Sequence, residues 1–409
     1  MTSLQPISVL VLPSWYPPKG GEFFREHSQA IREAGVNVHV LAAVETGIRN
    51  GFRDYLQPGK LQAHGKEAMD LPETINTFRR IPLMNRLNTR RWTRYMQKMV
   101  ENHINRFGKP DLFQVHSSMW AGLAAVGLSK SLDIPYVLTE HRGRFTGIGE
   151  QAVNLIKPWH VPLLKKSFRH AAKIVPVSKA AGNRILNIYP EASSKMMIIP
   201  NMTDTAFFSP ARQPSENQYR LSGGRPFRYL CVTSLEEIKG IDILLTAFSE
   251  LNRNHKIDAE LIIVGDGPLK NRLQRQCNEL GIDGRVTFTG YVQKKDLLPY
   301  FHQADAFVLP SLFESFGIVL LEAMACGLPV VATKSGGPEE IIGSHCGLLT
   351  EPGNTEALGV AMKKLVQQYH VYNSQIIRAF VVRNYSRQHI ADQYVKLYNQ
   401  IIDERKRPL

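Results

Sequence analysis

The sequence predicts an α/β fold of two doubly wound, Rossmann-like halves, and three observations carry that expectation. Short apolar runs rich in β-branched residues alternate with segments of helical periodicity, the pattern of βαβ units and parallel sheets. At 409 residues the chain is longer than one hydrophobic core normally serves. A polar stretch from Ile199 to Pro214 carries three prolines and reads as an interdomain linker. The expected domains are residues 1–203 and 204–386, with residues 387–409 a closing helix that packs back on the N-terminal domain.

In the first half, residues 7–13 (ISVLVLP) read as a strand, 22–35 as a helix ending at Gly35, and 37–43 (NVHVLAA) as the next strand. Residues 111–117 (DLFQVHS) and 135–141 (PYVLTEH) follow as strands, and 173–186 as a strand turning into a helix at Ser178. The second half begins with the strand 227–235 (FRYLCVTSL), then the loop EEIKG and a helix over 241–251. Residues 259–268 (AELIIVGDGP) form a strand entering a Gly-rich turn, and 285–292, 305–311 and 328–334 are further strands. The run 387–404 is helical. Ligands of open parallel sheets bind at the carboxyl ends of the strands, so two such sheets joined by a linker predict a central cleft.

Composition narrows the setting. Residues 1–12 lack a basic leader and a small-residue cleavage site and read as a first strand rather than a signal peptide. No apolar stretch is long enough to span a bilayer. Cys231, Cys277, Cys326 and Cys346 show neither CxxC pairing nor metal spacing, which suits buried thiols in a reducing cytoplasm. The net charge of +14 is lopsided: residues 1–200 hold 27 Lys and Arg against 14 Asp and Glu, the remainder 23 against 22. The two halves are therefore expected to face different partners.

The most informative segment is 305–342. Glu314 stands between a strand and a helix, and Glu322 lies about two turns on, on a similar side. A carboxylate accepts paired hydrogen bonds from vicinal hydroxyls, so Glu314 suits a sugar hydroxyl and Glu322 a ribose diol. The backbone N–H groups of Ser315, Phe316 and Gly317 at the helix start suit an anionic or hydroxyl-rich ligand. Taken alone, the two glutamates would sooner read as an ordinary helix-start residue and a surface residue.

The stretch Glu314-SFGIVLL-Glu322-AMACG-LPVVAT-KSGG resembles the signature of glycosyltransferase family 4, the retaining GT-B enzymes of bacterial cell-surface polysaccharide synthesis. The resemblance extends over nearly the whole chain, through SWYPPKGGEFFREHSQAIREAG (14–35), VPVSKA (175–180), IIPNMTDTAFFSP (198–210), LEEIKGIDILLTAF (235–248) and IIVGDGPL (262–269). It implies the GT-B fold, two Rossmann-like domains facing a central cleft, and a retaining, metal-independent hexosyltransferase. It also implies that Gly20 and Gly21 let the backbone approach a diphosphate, although a plain βα turn fits the residues equally. Lys239 becomes the clamp on the leaving diphosphate, where a surface lysine is the alternative. The family's usual arginine five residues earlier is Ser234 here, so one positive charge is missing.

By the same resemblance His141, at the end of a strand, is an active-site histidine, with a structural histidine as the alternative. Glu140 is a weaker acid/base candidate, and Arg142 or Arg144 could restore the missing charge. Gly265, Asp266 and Gly267 either border the nucleotide or simply turn the chain. Asn201 is assigned to the hinge. Retaining GT-B enzymes are usually ascribed front-side attack assisted by the donor phosphate, so no protein nucleophile is named. No DxD motif or His/Cys cluster calls for a metal.

The segment 78–100 carries seven basic residues and no acidic one. Its Arg79, Arg80, Arg86, Arg90, Arg91, Arg94 and Lys98 interleave with Leu83, Met84, Leu87, Trp92, Tyr95, Met96 and Met99. Such a basic amphipathic helix could lie on anionic lipid, or pack its apolar stripe into the N-terminal domain. A second basic run, 162–173, lies in the same half. Without any nucleic-acid-binding motif, nucleic acid is not expected as a partner.

The leading expectation is transfer of a hexose from a UDP- or GDP-linked donor, without cofactor or metal, to a glycan or lipid-linked acceptor at the inner face of the cell membrane. The alternatives are a GT-B nucleotide-sugar epimerase or phosphorylase and, from a different class, a non-catalytic basic adaptor. An adaptor would tolerate changes at Glu314 and Lys239; an enzyme would not.

Overall fold

Twelve strands pair in parallel among the described residues of the computed structural model, which are 6–17, 20–46, 71–141, 158–211, 225–253 and 257–406. They divide between two compact units. One comprises Met1–Val177, Ala181–Ile199 and Gln388–Leu409, the other Ser178–Ala180 and Pro200–Arg387.

In the first unit β1 (Ser8–Pro13), α1 (Glu22–Glu33), β2 (Asn37–Thr46), β3 (Glu73–Arg79), α2 (Asn85–Phe107), β4 (Leu112–His116), α3 (Ala121–Leu132), β5 (Tyr136–Glu140), α4 (Val161–His170), β6 (Lys173–Pro176) and α5 (Lys179–Ile188) follow one another. The sheet order is β3-β2-β1-β4-β5-β6. Strands β4 and β5 are buried at every position, as a parallel sheet covered on both faces requires.

The second unit runs β7 (Phe227–Val232), α6 (Ile241–Arg253), β8 (Ala259–Val264), α7 (Lys270–Glu279), β9 (Val286–Gly290), α8 (Leu298–Gln303), β10 (Ala306–Leu309), α9 (Ile318–Ala325), β11 (Val330–Thr333), α10 (Pro338–Ile341), β12 (Gly347–Thr350), α11 (Thr355–Gln367) and α12 (Ser374–Tyr385). Its order is β12-β11-β10-β7-β8-β9. Leu244 and Phe248 of α6 and Met362 and Leu365 of α11 fill its core with no exposure. The Tyr229 hydroxyl, on β7, donates to the Met362 carbonyl at 2.7 Å.

The last helix, α13 (Arg387–Lys406), joins the first unit from Gln388 onward. Its attachment is a buried polar network. Tyr398 donates to Gln114 Oε1 at 2.8 Å, Gln114 Nε2 donates to Thr139 Oγ1 at 2.9 Å, and Tyr394 Oη lies 3.1 Å from the same hydroxyl. Buried hydroxyls need such partners, and these fix the helix over β4 and β5.

One expectation is corrected. Residues 78–100 are not one helix: β3 ends at Arg79 and α2 starts at Asn85. Trp92, Met96 and Val100 of α2 are fully buried and Met99 nearly so, and Trp92 Nε1 donates to the Ala43 carbonyl at 3.1 Å. The apolar stripe of the helix therefore belongs to the core, while Arg90 and Arg94 face solvent. Arg91 lies 5.4 Å over the Phe78 ring and donates to the carbonyl of half-buried Arg79, and exposed Arg80 pairs with Glu45 at 3.8 Å.

The proline-bearing stretch read as the interdomain linker starts where the two units part, at Ile199, and its described residues pack on the second unit. Phe208 is fully buried in the second unit, Arg378 donates to the carbonyls of Thr205, Phe208 and Ala325, and Arg387 holds Asp204 at 3.1 Å. The guanidinium groups satisfy carbonyls that an irregular segment would otherwise bury unpaired.

Trp92→Ala is expected to cost about 3–5 kcal/mol in urea unfolding, whereas Arg90→Gln with Arg94→Gln should stay within about 0.5 kcal/mol. Equal losses would contradict this division of the helix.

Candidate functional site

In each sheet the chain winds outward one way from its first strand and then the other, so two adjacent strands send their following loops in opposite directions. In the second unit that switch point lies between β7 and β10, which pair through Tyr229 and Ala306. Lys239 follows β7 in the 3-10 turn Glu237–Lys239, and Glu314 follows β10. Their side chains meet there: Lys239 Nζ lies 2.7 Å from Glu314 Oε2, with 20% and 17% of each side chain exposed.

The backbone under this pair is tied on both sides. The Leu312 N–H donates to the Ile238 carbonyl at 2.9 Å, joining the loops after β7 and β10. The Glu314 N–H donates to the Ser335 carbonyl and the Gly337 N–H to the Glu314 carbonyl, each at 3.0 Å, joining the turn after β11. Ser315 is anchored by the Ser178 hydroxyl, which donates to its carbonyl at 2.7 Å, Phe316 is buried, and Gly317 caps α9.

Glu322, on α9, is buried, and Lys294 Nζ lies 3.2 Å from its Oε1. Lys294 also sits 5.6 Å over the Phe208 ring. Sequence reasoning missed Lys294; a basic residue just after a strand of the same sheet was the signal, but no spacing ties it to Glu322.

Gly265 and Gly267 turn the chain after β8. Gly265 has φ +145°, and a Cβ there would stand 1.8 Å from the Thr233 carbonyl oxygen. Only glycine allows that approach. The Leu235 N–H donates to the Asp266 carbonyl at 3.0 Å, so this turn is locked to the loop after β7. Ser234, where an arginine was expected, is exposed, and its carbonyl accepts the Glu236 N–H at 3.1 Å.

The switch point of the first unit lies between β1 and β4. Gly20 and Gly21 follow β1; Gly21 has φ +90° and caps α1, with Trp15 and Phe24 against it. His116 ends β4, and its Nδ1 lies 3.0 Å from Nε2 of half-buried His141, just after β5. Phe24 stacks on His116 at 4.6 Å, Phe23 and Phe24 lie 4.9 and 5.2 Å from His141, and His27 stands edge-on to His116 at 4.9 Å. His116 and His27 were not singled out in the sequence, because each lies inside a segment whose apolar pattern already accounted for it.

Burial, and secondarily the neighbouring His141, holds the ionisation of His27 down to about 3; burial also lowers that of His116 well below the usual imidazole range. Glu140, the weaker acid/base candidate, is buried, and its Oε2 accepts from the Ser118 N–H at 2.9 Å and hydroxyl at 2.7 Å. Arg142 and Arg144 lie outside the described residues.

Burial pushes Cys231 and Cys326 up to about 12 and Cys277 and Cys346 up to about 11, so all four are inert thiols at neutral pH. Among the described residues no group of three or more His, Cys, Asp and Glu is placed to hold a metal.

Family profiles match both halves: Glycosyltransferase Family 4 over residues 20–207 and Glycosyl transferases group 1 over residues 214–380. An uncharacterized glycosyltransferase of Methanocaldococcus jannaschii is 26% identical over 381 residues, 89% of this chain and 94% of that one. The GDP-mannose-dependent alpha-(1-6)-phosphatidylinositol monomannoside mannosyltransferase of Mycolicibacterium smegmatis is 36% identical over 185 residues, 42% of this chain and 48% of that one. Among solved structures, Anabaena HepE in complex with UDP superposes with a TM-score of 0.73 at 20% identity, covering 96% of this chain and 100% of that one. The common fold is GT-B, two parallel α/β sheets of the kind described above.

Because His27 and His116 resist protonation when folded, their contribution to stability is intact above the unfolded imidazole value and falls as pH drops below it. For His27 alone the loss between pH 6.5 and 5 is about 2 kcal/mol. Denaturant unfolding at pH 7 and 5 should show that decline, and His27→Phe should blunt it; a pH-independent midpoint would contradict the burial of these rings.

Proposed function

The chain belongs to the group 1 / family 4 glycosyltransferases, retaining GT-B enzymes that take their sugar from a nucleotide-sugar donor, and from that premise we propose that it transfers a hexose to a glycan or lipid-linked acceptor of the cell envelope. The observation that carries the site assignment is the Lys239–Glu314 ion pair at the switch point of the second unit. A donor brings an anionic diphosphate and a hydroxylated sugar. Lys239 turns to the diphosphate, Glu314 accepts from a sugar hydroxyl, and Glu322 accepts from the ribose diol. Gly265 and Gly267 border the nucleotide. The N–H groups of Ser315, Phe316 and Gly317 add partial positive charge near the phosphates.

The bond from the anomeric carbon to the diphosphate oxygen breaks, and the acceptor oxygen bonds that carbon on the same face. The acceptor's proton passes to the departing phosphate oxygen, so both electrons of the broken bond leave with the diphosphate. Lys239 stabilises the charge that gathers there, which is where electrostatic stabilisation matters most. Gly20, Gly21 and His141 of the first unit are assigned to the donor's phosphate and the transferred sugar. UDP and GDP are the nucleotides suggested by HepE, solved with UDP, and by the GDP-mannose-dependent relative.

A lipid-linked acceptor is supported by the segment before α2. Leu83 is fully exposed at φ 62°, a conformation an L-residue rarely adopts, and Met84 and Leu87 beside it are 51% and 43% exposed. Arg80, Arg86, Arg90 and Arg94 are exposed around them. An apolar tip within a basic rim suits an anionic bilayer surface, and no helix among the described residues is long and apolar enough to cross one.

A thermal-shift panel of UDP-, GDP- and ADP-sugars, followed by product analysis with the best binder, tests the donor assignment, and stabilisation by none of them would sink it. Lys239→Met should lower kcat about 100-fold or more while the fold is kept. On vesicles of anionic lipid, Leu83→Glu with Met84→Glu should reduce sedimentation of the protein; unchanged sedimentation would remove the membrane reading.

A further inference from the structure

Strands β4 and β5 are neighbours in register, His116 opposite Thr139, so the end of β4 lies beside the residues that leave β5. His116 is fully buried, its Nδ1 is 3.0 Å from His141 Nε2, and its own Nε2 is enclosed without a hydrogen-bond partner. The stacked ring of Phe24 and the edge-on ring of His27 fix the plane of the imidazole.

One proton lies between the two rings, and either histidine could supply it. If His141 donated, a neutral His116 would carry its proton on Nε2, as a buried N–H with no acceptor. If His116 donates from Nδ1, its Nε2 keeps only a lone pair. Orphaned buried N–H groups are much the rarer, and leaving one unmade costs the full desolvation penalty. A cationic His116 would bury the same orphan and a charge besides, which its depressed ionisation excludes at neutral pH. The bond therefore runs from His116 Nδ1–H to His141 Nε2, and a neutral His141 carries its proton on Nδ1. That is opposite to the Nε2–H form that prevails for a neutral histidine in water.

We propose that His116 is a positioning residue for sugar transfer: its hydrogen bond holds His141 in the Nδ1–H tautomer, so that His141 meets the substrate as a neutral hydrogen-bond donor rather than as a base. The tautomer of an imidazole is set by what its other nitrogen contacts. The proposal rests on the assignment of His141 to the sugar-transfer site.

Long-range 1H–15N correlation spectra of the full chain labelled with 15N-histidine read the tautomer directly, with His141 identified by the signal lost in His141→Gln. The wild type should show His141 protonated at Nδ1. His116→Phe, which keeps a ring but removes the donor, should move it to Nε2–H and lower kcat about 10-fold or more, with the donor KM within about twofold. His116→Asn, whose amide N–H replaces Nδ1–H, should keep the tautomer and recover most of kcat. A wild-type Nε2–H signal, or an unchanged His141 in folded His116→Phe, overturns the positioning; if that variant does not fold, the wild-type and His116→Asn spectra decide. Full activity of His141→Gln overturns instead the placement of His141 on which the proposal depends.

Discussion

The reversal of strand order within each sheet is the constraint on which the rest depends. Where the chain stops winding outward on one side and starts on the other, the loops that follow the two central strands part, and a crevice opens at their carboxyl ends. In the second unit the parted loops carry Lys239 and Glu314; in the first Gly20–Gly21 follow β1 and His116 ends β4. Side chains at these positions are held by strands buried on both faces, so their geometry inherits the rigidity of the core. The short ties between loops, Leu312 to Ile238 and Glu314 to Ser335, extend that rigidity past the strand ends.

The switch points of the two units gather different polar groups. In the second, carboxylates and ammonium groups meet as pairs, Lys239 with Glu314 and Lys294 with Glu322. In the first, three histidines stand among Phe23, Phe24 and Tyr394, and burial keeps at least His27 and His116 neutral. A charged set suits an anionic diphosphate, and a neutral donor set suits hydroxyls of an uncharged sugar.

Much of this was legible in the sequence, and the exceptions have physical reasons. Ten of the twelve strands among the described residues fall where alternation of apolar runs and turn residues located them or just beside, but β3 and β12 were not foreseen: ETINTFR is largely polar and half-buried, with only Ile75 and Phe78 inside, and GLLT is only four residues long. Glu314 and Lys239 could be named from strand-end position and motif, yet nothing in spacing predicts that they touch each other. His116 stayed hidden because a buried histidine in an apolar strand leaves no periodic mark. The basic segment read equally as a lipid-facing helix or as one packing its stripe into the domain. Its arginines and its apolar stripe are both real, but Trp92 and Met96 face the core, and only the three-dimensional fold separates them from exposed Leu83, Met84 and Leu87.

The missing arginine at Ser234 gives the ion pair a sharper meaning. On the proposed reading, Lys239 carries most of the positive charge offered to the diphosphate, and it does so in competition with Glu314, which it contacts at 2.7 Å. A free phosphate that drew Lys239 away would leave a largely buried carboxylate unpaired, and breaking such a pair by removing one partner is costly. A sugar nucleotide avoids the cost, because its sugar hydroxyl donates to Glu314 as its diphosphate takes Lys239. The same exchange runs backward after transfer. Once the sugar has left with the acceptor, Glu314 again lacks a partner, Lys239 is drawn back to it, and the hold on the nucleoside diphosphate weakens. A single ion pair thus favours the intact donor over its own product, which a second fixed arginine on the diphosphate would work against.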